Sequence, residues 1–333
     1  MTGFGDIDRR SVMLGGLAGL ALPGAARAGP TATGGAPGKI PRPEAAFNVP
    51  NADPRLGGLV NAVSPARIRA DIDALTGFAT RWSAAPDFAL VEDWAALALQ
   101  AGGGQPVARQ GFALPSGLRR NNILAGNPTG GRRVILVGAH IDTMSERPAG
   151  LAPGANDNGS GVAALLEAQR VLSGQTFARE IVYMLFSGEE QGLAGSTAAA
   201  RIAARQGWPI ELMINIDMVG LRPATATDPL FIEYDQGNAT PANDPAARAY
   251  ASMAADMAAD HTGLTTAFSN IWDSDYMPFE AQGFACIGFY DGGAARPEFH
   301  TTRDLPALLD YPRLTDVTRA LVATLARAAE MSG

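Results

Sequence analysis

Three short apolar runs, Val134–Val137, Ile181–Phe186 and Leu212–Ile216, each stop within a few positions at a histidine or a carboxylate. Runs of this kind are strands buried on both faces, which requires a sheet covered by helices on both sides. Helical stretches separate them, Ser160 to Leu172 and an alanine-rich segment over about 193–206. Upstream, Ile68, Ile72, Leu75 and Phe78 recur at helical spacing and predict an amphipathic helix over 65–82. Downstream come a strand near 230–234, a helix at about 243–260, a strand at 284–290 and a C-terminal helix from Leu314. The pattern predicts an α/β class with a single domain: a mixed, mostly parallel central sheet with helices on both faces. There is no internal repeat and no boundary after residue 60.

Composition removes several classes of partner. The chain has 333 residues, 47% of them hydrophobic, enough to fill a sizeable core. A net charge of −7 argues against nucleic acid or an anionic membrane as the main partner. The single cysteine, Cys286, excludes an intrachain disulfide and any multi-cysteine metal cluster. It lies in an apolar strand and reads as inert core. With only His140, His261 and His300 available, a transition-metal site must draw on carboxylates. His261 reads as a helix-end surface residue, and Trp208 and Trp272 as core or as pocket lining.

The N-terminus reads as an address. Asp8-Arg9-Arg10-Ser11-Val12-Met13-Leu14 precedes a weakly apolar stretch to Leu22, and Ala26-Arg27-Ala28 has the small-x-small form that a signal peptidase reads. Residues 1–28 therefore resemble a twin-arginine export signal, although Asp8 and Val12 depart from the usual residues. The expected location is periplasmic or secreted. Residues 29–60, rich in Gly, Pro, Ala and Thr, read as a linker or N-terminal wrap, leaving 61–333 as the functional domain. No later apolar run reaches the ~20 residues of a membrane span. Nothing in the sequence fixes the oligomeric state.

Ligands of open α/β sheets bind beyond the carboxyl ends of the strands. There the chain carries Gly138-Ala139-His140-Ile141-Asp142, Ser187-Gly188-Glu189-Glu190 and Asp217, together with a Gly-rich loop, Gly154–Gly161, and the segment Pro297–Asp304. Carboxylates gathered at one rim repel one another unless a cation neutralises them. With His140, Asp157, Glu190, Asp217 and His300 as ligands, there are too few groups for two separate closed sites. They suffice for two cations if one carboxylate bridges, each ion then having three protein ligands and an open position. Two dications balance three carboxylates and one hydroxide, and such paired ions polarise a carbonyl and stabilise an attacking oxygen. Adjacent Glu189 and Glu190 point differently, so one can reach a metal while the other reaches a water. Either taken alone could instead cap the following helix.

Taken in order, His140-x-Asp142, Gly154–Gly161, Ser187–Leu193, Asn215–Gly220, Ser274-Asp275-x-x-Pro278-Phe279 and Phe299–Thr301 resemble the co-catalytic di-zinc aminopeptidases of the bacterial leucyl aminopeptidase type. That family also contains glutamate carboxypeptidases and glutaminyl cyclases. The resemblance covers about residues 65–310 and implies a zinc-dependent exopeptidase fold, with 61–333 as the di-zinc peptidase domain. It implies two Zn²⁺, with other divalent transition metals able to take the same places. His140 and Asp217 would hold one ion, Glu190 and His300 the other, and Asp157 would bridge. Glu189 would be the general base, and the Asp157–Asn158 peptide would be cis. Spacing adds that His140 and Asp142, two apart at a strand end, can point the same way, so Asp142 can orient the His140 ring. The substrate implied is the N-terminus of a peptide or protein.

Two departures bear on this. Tyr276 stands where many relatives have His, and either substitutes through its hydroxyl or simply packs. Some relatives also carry a disulfide that a lone cysteine cannot form. The alternatives are a carboxypeptidase or glutaminyl cyclase on the same scaffold, and a non-catalytic binding module. Phe299 and Asn158-Gly159-Ser160-Gly161 favour a peptidase over a cyclase, and intact candidate ligands with Glu189 count against the inert module. No Gly-x-Ser-x-Gly elbow or HExxH helix is present.

Overall fold

The computed structural model describes residues 54–221, 228–237 and 240–331. The export signal expected over 1–28 lies outside them, as does most of the expected linker. Pro54–Asn61 forms helix α1, whose Leu56, Leu59 and Val60 are buried in the core, so these residues belong to the domain.

Helix α2 (Pro65–Thr76) is capped by Ser64, whose side chain accepts the Arg67 N–H, and buries Ile68, Ile72 and Leu75. It ends six residues earlier than the apolar spacing predicts, at Gly77, and Phe78 packs from outside the helix. Helix α3 (Phe88–Gly103) lies in a stretch with no clear helical period. It buries Phe88, Val91, Ala95 and Leu99 but leaves Leu90 and Leu97 exposed, so its apolar residues encircle the helix and blur the period.

Among the described residues, eight strands form one sheet: β1 (Val107–Ala113), β2 (Arg119–Ala125), β3 (Val134–His140), β4 (Glu180–Phe186), β5 (Ile210–Ile216), β6 (Leu230–Tyr234), β7 (Thr266–Ser269) and β8 (Cys286–Tyr290). Their spatial order is β1-β2-β4-β3-β5-β8-β6-β7. The pairs β3/β4, β3/β5, β5/β8 and β6/β7 are parallel, and the other three are antiparallel. This is the mixed α/β sheet expected from the sequence. Strands β1, β2 and β7 carry little signal in the sequence, because Arg109, Gln110 and Gly111 interrupt β1, much of β2 is polar and β7 spans four residues.

Alternation divides the central strands between two cores. Ile135, Val137, Ile181 and Leu185 pack with α2, α3, α4 (Gly161–Leu172), α6 (Asp244–His261) and α8 (Tyr311–Ala328). Val134, Leu136, Val182, Met184 and Phe186 pack on the other face with α5 (Ala194–Gln206) and the short helix α7 (Tyr276–Glu280). The buried, free Cys286 and Trp208 lie in that second core, as does Tyr276. Because His140 pairs with Phe186 and Gly138 with Asn215, β3, β4 and β5 end at one level and deliver their C-terminal residues to one rim.

Candidate metal centre

His140 is the last residue of β3, Glu189 and Glu190 follow β4, and Asp217 follows β5. Asp157 comes from the wound segment Ala155–Ser160 before α4, and His300 from the loop after β8. These six residues line one cavity with Met218, Asp273 and Phe299. The loop carrying Asp157 requires a glycine at Gly154: its φ is +52°, and a Cβ there would meet the Asp157 carbonyl oxygen at 2.3 Å. Non-glycine residues at positive φ also border the site, Leu193 after the two glutamates, Met218 after Asp217, and His300 itself.

The imidazoles face the carboxylates in two groups. His140 Nε2 lies 3.3 Å from Asp157 Oδ1 and 3.4 Å from Asp217 Oδ1. His300 Nε2 lies 3.2 Å from Asp157 Oδ2 and 3.1 Å from Glu190 Oε2. Asp157 thus turns one oxygen to each histidine, and its peptide bond to Asn158 is cis. His140–Asp157–Asp217 and Asp157–Glu190–His300 each gather their donor atoms within 4.8 Å, as a metal ion requires. Glu189 also groups with His140 and Glu190.

Burial makes this collection costly without a cation. His140, Asp142, Asp157, Glu189, Glu190 and Asp217 are all buried, and Glu190 Oε1 accepts no hydrogen bond. Burial alone would lower both histidines, but the surrounding carboxylates outweigh it, driving His140 well up and His300 to about 11. Burial, reinforced by the charges of Glu190, Asp275 and Asp217, pushes Glu189 well above the ordinary carboxylate range. Two imidazoles crowded by buried carboxylates, with an oxygen left unpaired, form a donor set that fits divalent metal.

Asp142 reaches both the His140 ring and the two glutamates. The His140 Nδ1 lies 3.1 Å from the Asp142 backbone carbonyl, whereas the carboxylate stands 3.9 Å away. That carboxylate instead accepts the backbone N–H groups of Glu189 (3.1 Å) and Glu190 (3.3 Å) and fixes the turn that presents both glutamates. Tyr276 is fully buried: its hydroxyl donates to Glu233 Oε2 at 2.8 Å and accepts the Trp272 N–H. It packs and is absent from the cavity lining, as are Trp208 and Trp272. His261 closes α6, away from the centre.

Several supporting residues escaped the sequence reading. Ser274 donates to Asp217 Oδ2 at 2.7 Å and accepts from Asn215 at 2.8 Å. Asp304 accepts the backbone N–H groups of Asn156 and Asp157. Arg81, fully buried, donates to the carbonyls of Leu75, Ile141, Pro153 and Gly154 and braces the loop beneath Asp157. Ser274 and Asp304 lie inside segments named from the sequence, whereas Arg81 falls within the stretch predicted as helix and carries no signal of its own.

Residues 122–325 match Peptidase family M28, and the chain belongs to that family. A leucine aminopeptidase 1 of Trichophyton rubrum is 32% identical over 177 residues, covering 50% of this chain and 48% of that protein. The chain therefore spans about half the length of that fungal relative. Its fold matches the LapA aminopeptidase of Legionella pneumophila with a TM-score of 0.73 at 20% identity, over 86% of this chain and 77% of that one. A glutaminyl cyclase of Porphyromonas gingivalis matches with a TM-score of 0.66 at 22% identity, over 79% and 98%.

Proposed function

We propose that the protein is an exported metallo-aminopeptidase that hydrolyses the N-terminal peptide bond of peptides, using two zinc ions and Glu189 as general base. The observation that carries this proposal is the division of Asp157, with Oδ1 toward His140 and Oδ2 toward His300, which suits a carboxylate shared between two ions. His140 and Asp217 would complete one site, and Glu190 and His300 the other. The chemistry a bound ion pair supplies is polarisation of the scissile carbonyl and acidification of the attacking water.

The chain's own groups do the rest. Glu189 sits at the cavity wall beside the donors without belonging to either Asp157-centred group, so it is free to move protons. It takes one from the attacking water and hands it to the departing amine nitrogen. Asp142 holds Glu189 by its backbone N–H, and Ser274 holds Asp217 by its carboxylate. Phe299, stacked on His300 with ring centroids 3.8 Å apart, and Met218 offer apolar surface to a substrate side chain. Leucine aminopeptidase 1 of T. rubrum supports the choice of N-terminal cleavage. Export rests on Arg9-Arg10 and the segment that follows.

The test is a panel of aminoacyl arylamides, N-blocked peptides and N-terminal glutaminyl peptides, with metal counted on the same sample. Cleavage of free-amine substrates is expected. Turnover of blocked peptides alone would make the protein a different peptidase, and cyclisation of glutaminyl peptides without hydrolysis would make it a cyclase.

A further inference from the structure

A second group of carboxylates lies outside the catalytic cavity. Asp235 follows β6, Asp244 opens α6, and Glu280 ends α7. Each offers an oxygen within 4.8 Å of the others. Asp235 and Glu280 are fully buried, and two buried oxygens of the group, Glu280 Oε2 and Asp244 Oδ1, have no hydrogen-bond partner. A fully buried carboxylate with an unpaired oxygen beside two further acids is costly unless a cation is held there.

Neighbouring groups hold these carboxylates in place. Asp235 Oδ1 accepts the Gly237 N–H and Oδ2 the Thr240 N–H, both at 2.9 Å, which fixes its carboxylate. Asn243 donates to Glu280 Oε1 at 2.9 Å and fixes that side chain, leaving Oε2 for a ligand. The neighbouring Cys286 thiol points at the carbonyl oxygens of Tyr276 and Phe284. Burial and the charge of Glu280 push that thiol well above its ordinary value, so it offers no thiolate.

We infer that Asp235, Asp244 and Glu280 bind a hard divalent cation, calcium, as a structural ion distinct from the metals of the catalytic cavity. The donors are all oxygen, with neither imidazole nor thiolate, which suits calcium and disfavours zinc. The ion would join the end of β6, the start of α6 and the end of α7. Helix α7 follows Ser274, which holds Asp217, so the clamp would steady the segment that positions a catalytic-cavity carboxylate. Without a cation, burial and the charges of Asp235 and Asp244 raise Glu280 to about 7.

The test uses zinc-loaded full-length protein freed of excess metal, melted with and without calcium chloride. At calcium concentrations about tenfold above a Kd in the ~10⁻⁴–10⁻³ M range of extracellular calcium modules, Tm should rise by about 2–4 °C. The rise should disappear in Glu280→Gln and in Asp244→Asn, with zinc content unchanged in both. The partly exposed Asp244→Asn decides the matter if the buried variant fails to fold. Without calcium, Asp244→Asn should melt no lower than the unsubstituted protein, because it relieves repulsion. No rise in the unsubstituted protein, or an equal rise in Asp244→Asn, would overturn the proposal.

Discussion

Asp304 Oδ2 accepts the backbone N–H of Asp157 at 2.9 Å, tying the loop that carries His300 to the residue that faces both histidines. Its other oxygen accepts the Asn156 N–H at the same distance, so one carboxylate fixes two successive amides. Asp304→Ala removes both acceptors and should loosen Asp157 without touching a metal donor. Outer-shell groups of this kind are typically worth 10–100-fold in metal affinity or activity. A metal titration should show weakening of roughly that size, with the fold retained by circular dichroism.

Arg81 carries the loop from beneath. Its guanidinium satisfies four carbonyl oxygens in a dry environment, and a buried acceptor left unsatisfied costs about 1–3 kcal/mol. Arg81→Met keeps much of the volume and removes every donor. Chemical denaturation should show a loss of at least about 3 kcal/mol.

The core strands and the donors at their ends were legible because they obey simple rules. Val134–His140 and Glu180–Phe186 are buried along their whole length, which continuous apolar runs announce, and strand ends are where such sheets bind ligands. The groups that aim those donors were harder to see. Asp142 and His140 stand two apart, which suggests a side-chain contact, yet the Asp142 carboxylate turns to the amides after β4, and sequence spacing cannot reveal that pairing. Arg81 meets carbonyls up to 73 positions away, with no periodic signature. Strand β1 lies at the sheet edge, largely exposed, with Arg109, Gln110 and Gly111 interrupting its apolar residues, and its register comes from pairing with β2.

Asp157 distinguishes a shared centre from two independent sites. Asp157→Ala should lose both ions, whereas Asp217→Ala and Glu190→Ala should each chiefly weaken one. Metal analysis after dialysis reads this directly. Chelation of the unsubstituted protein should abolish activity, and added zinc should restore it.

Export can be tested separately from catalysis. Replacing Arg9 and Arg10 together by lysine should leave precursor in the cytoplasm, because a twin-arginine signal reads the guanidinium pair. Fractionation with N-terminal sequencing should place the normal mature end at Gly29. Unchanged export of the double variant would remove the twin-arginine assignment.

The adjacent glutamates provide the most direct measurement: kcat and metal content determined together for Glu189→Gln and Glu190→Ala. Glu189→Gln should keep both ions and the same fold but lose the proton carrier. Its kcat should fall by at least about 10²-fold with little change in KM, within the range typical of general acid–base catalysis. Glu190→Ala should lose metal from the position it shares with His300. If Glu189→Gln sheds an ion while Glu190→Ala retains both, the two roles are reversed, and if neither change slows turnover, the cavity is not the catalytic centre.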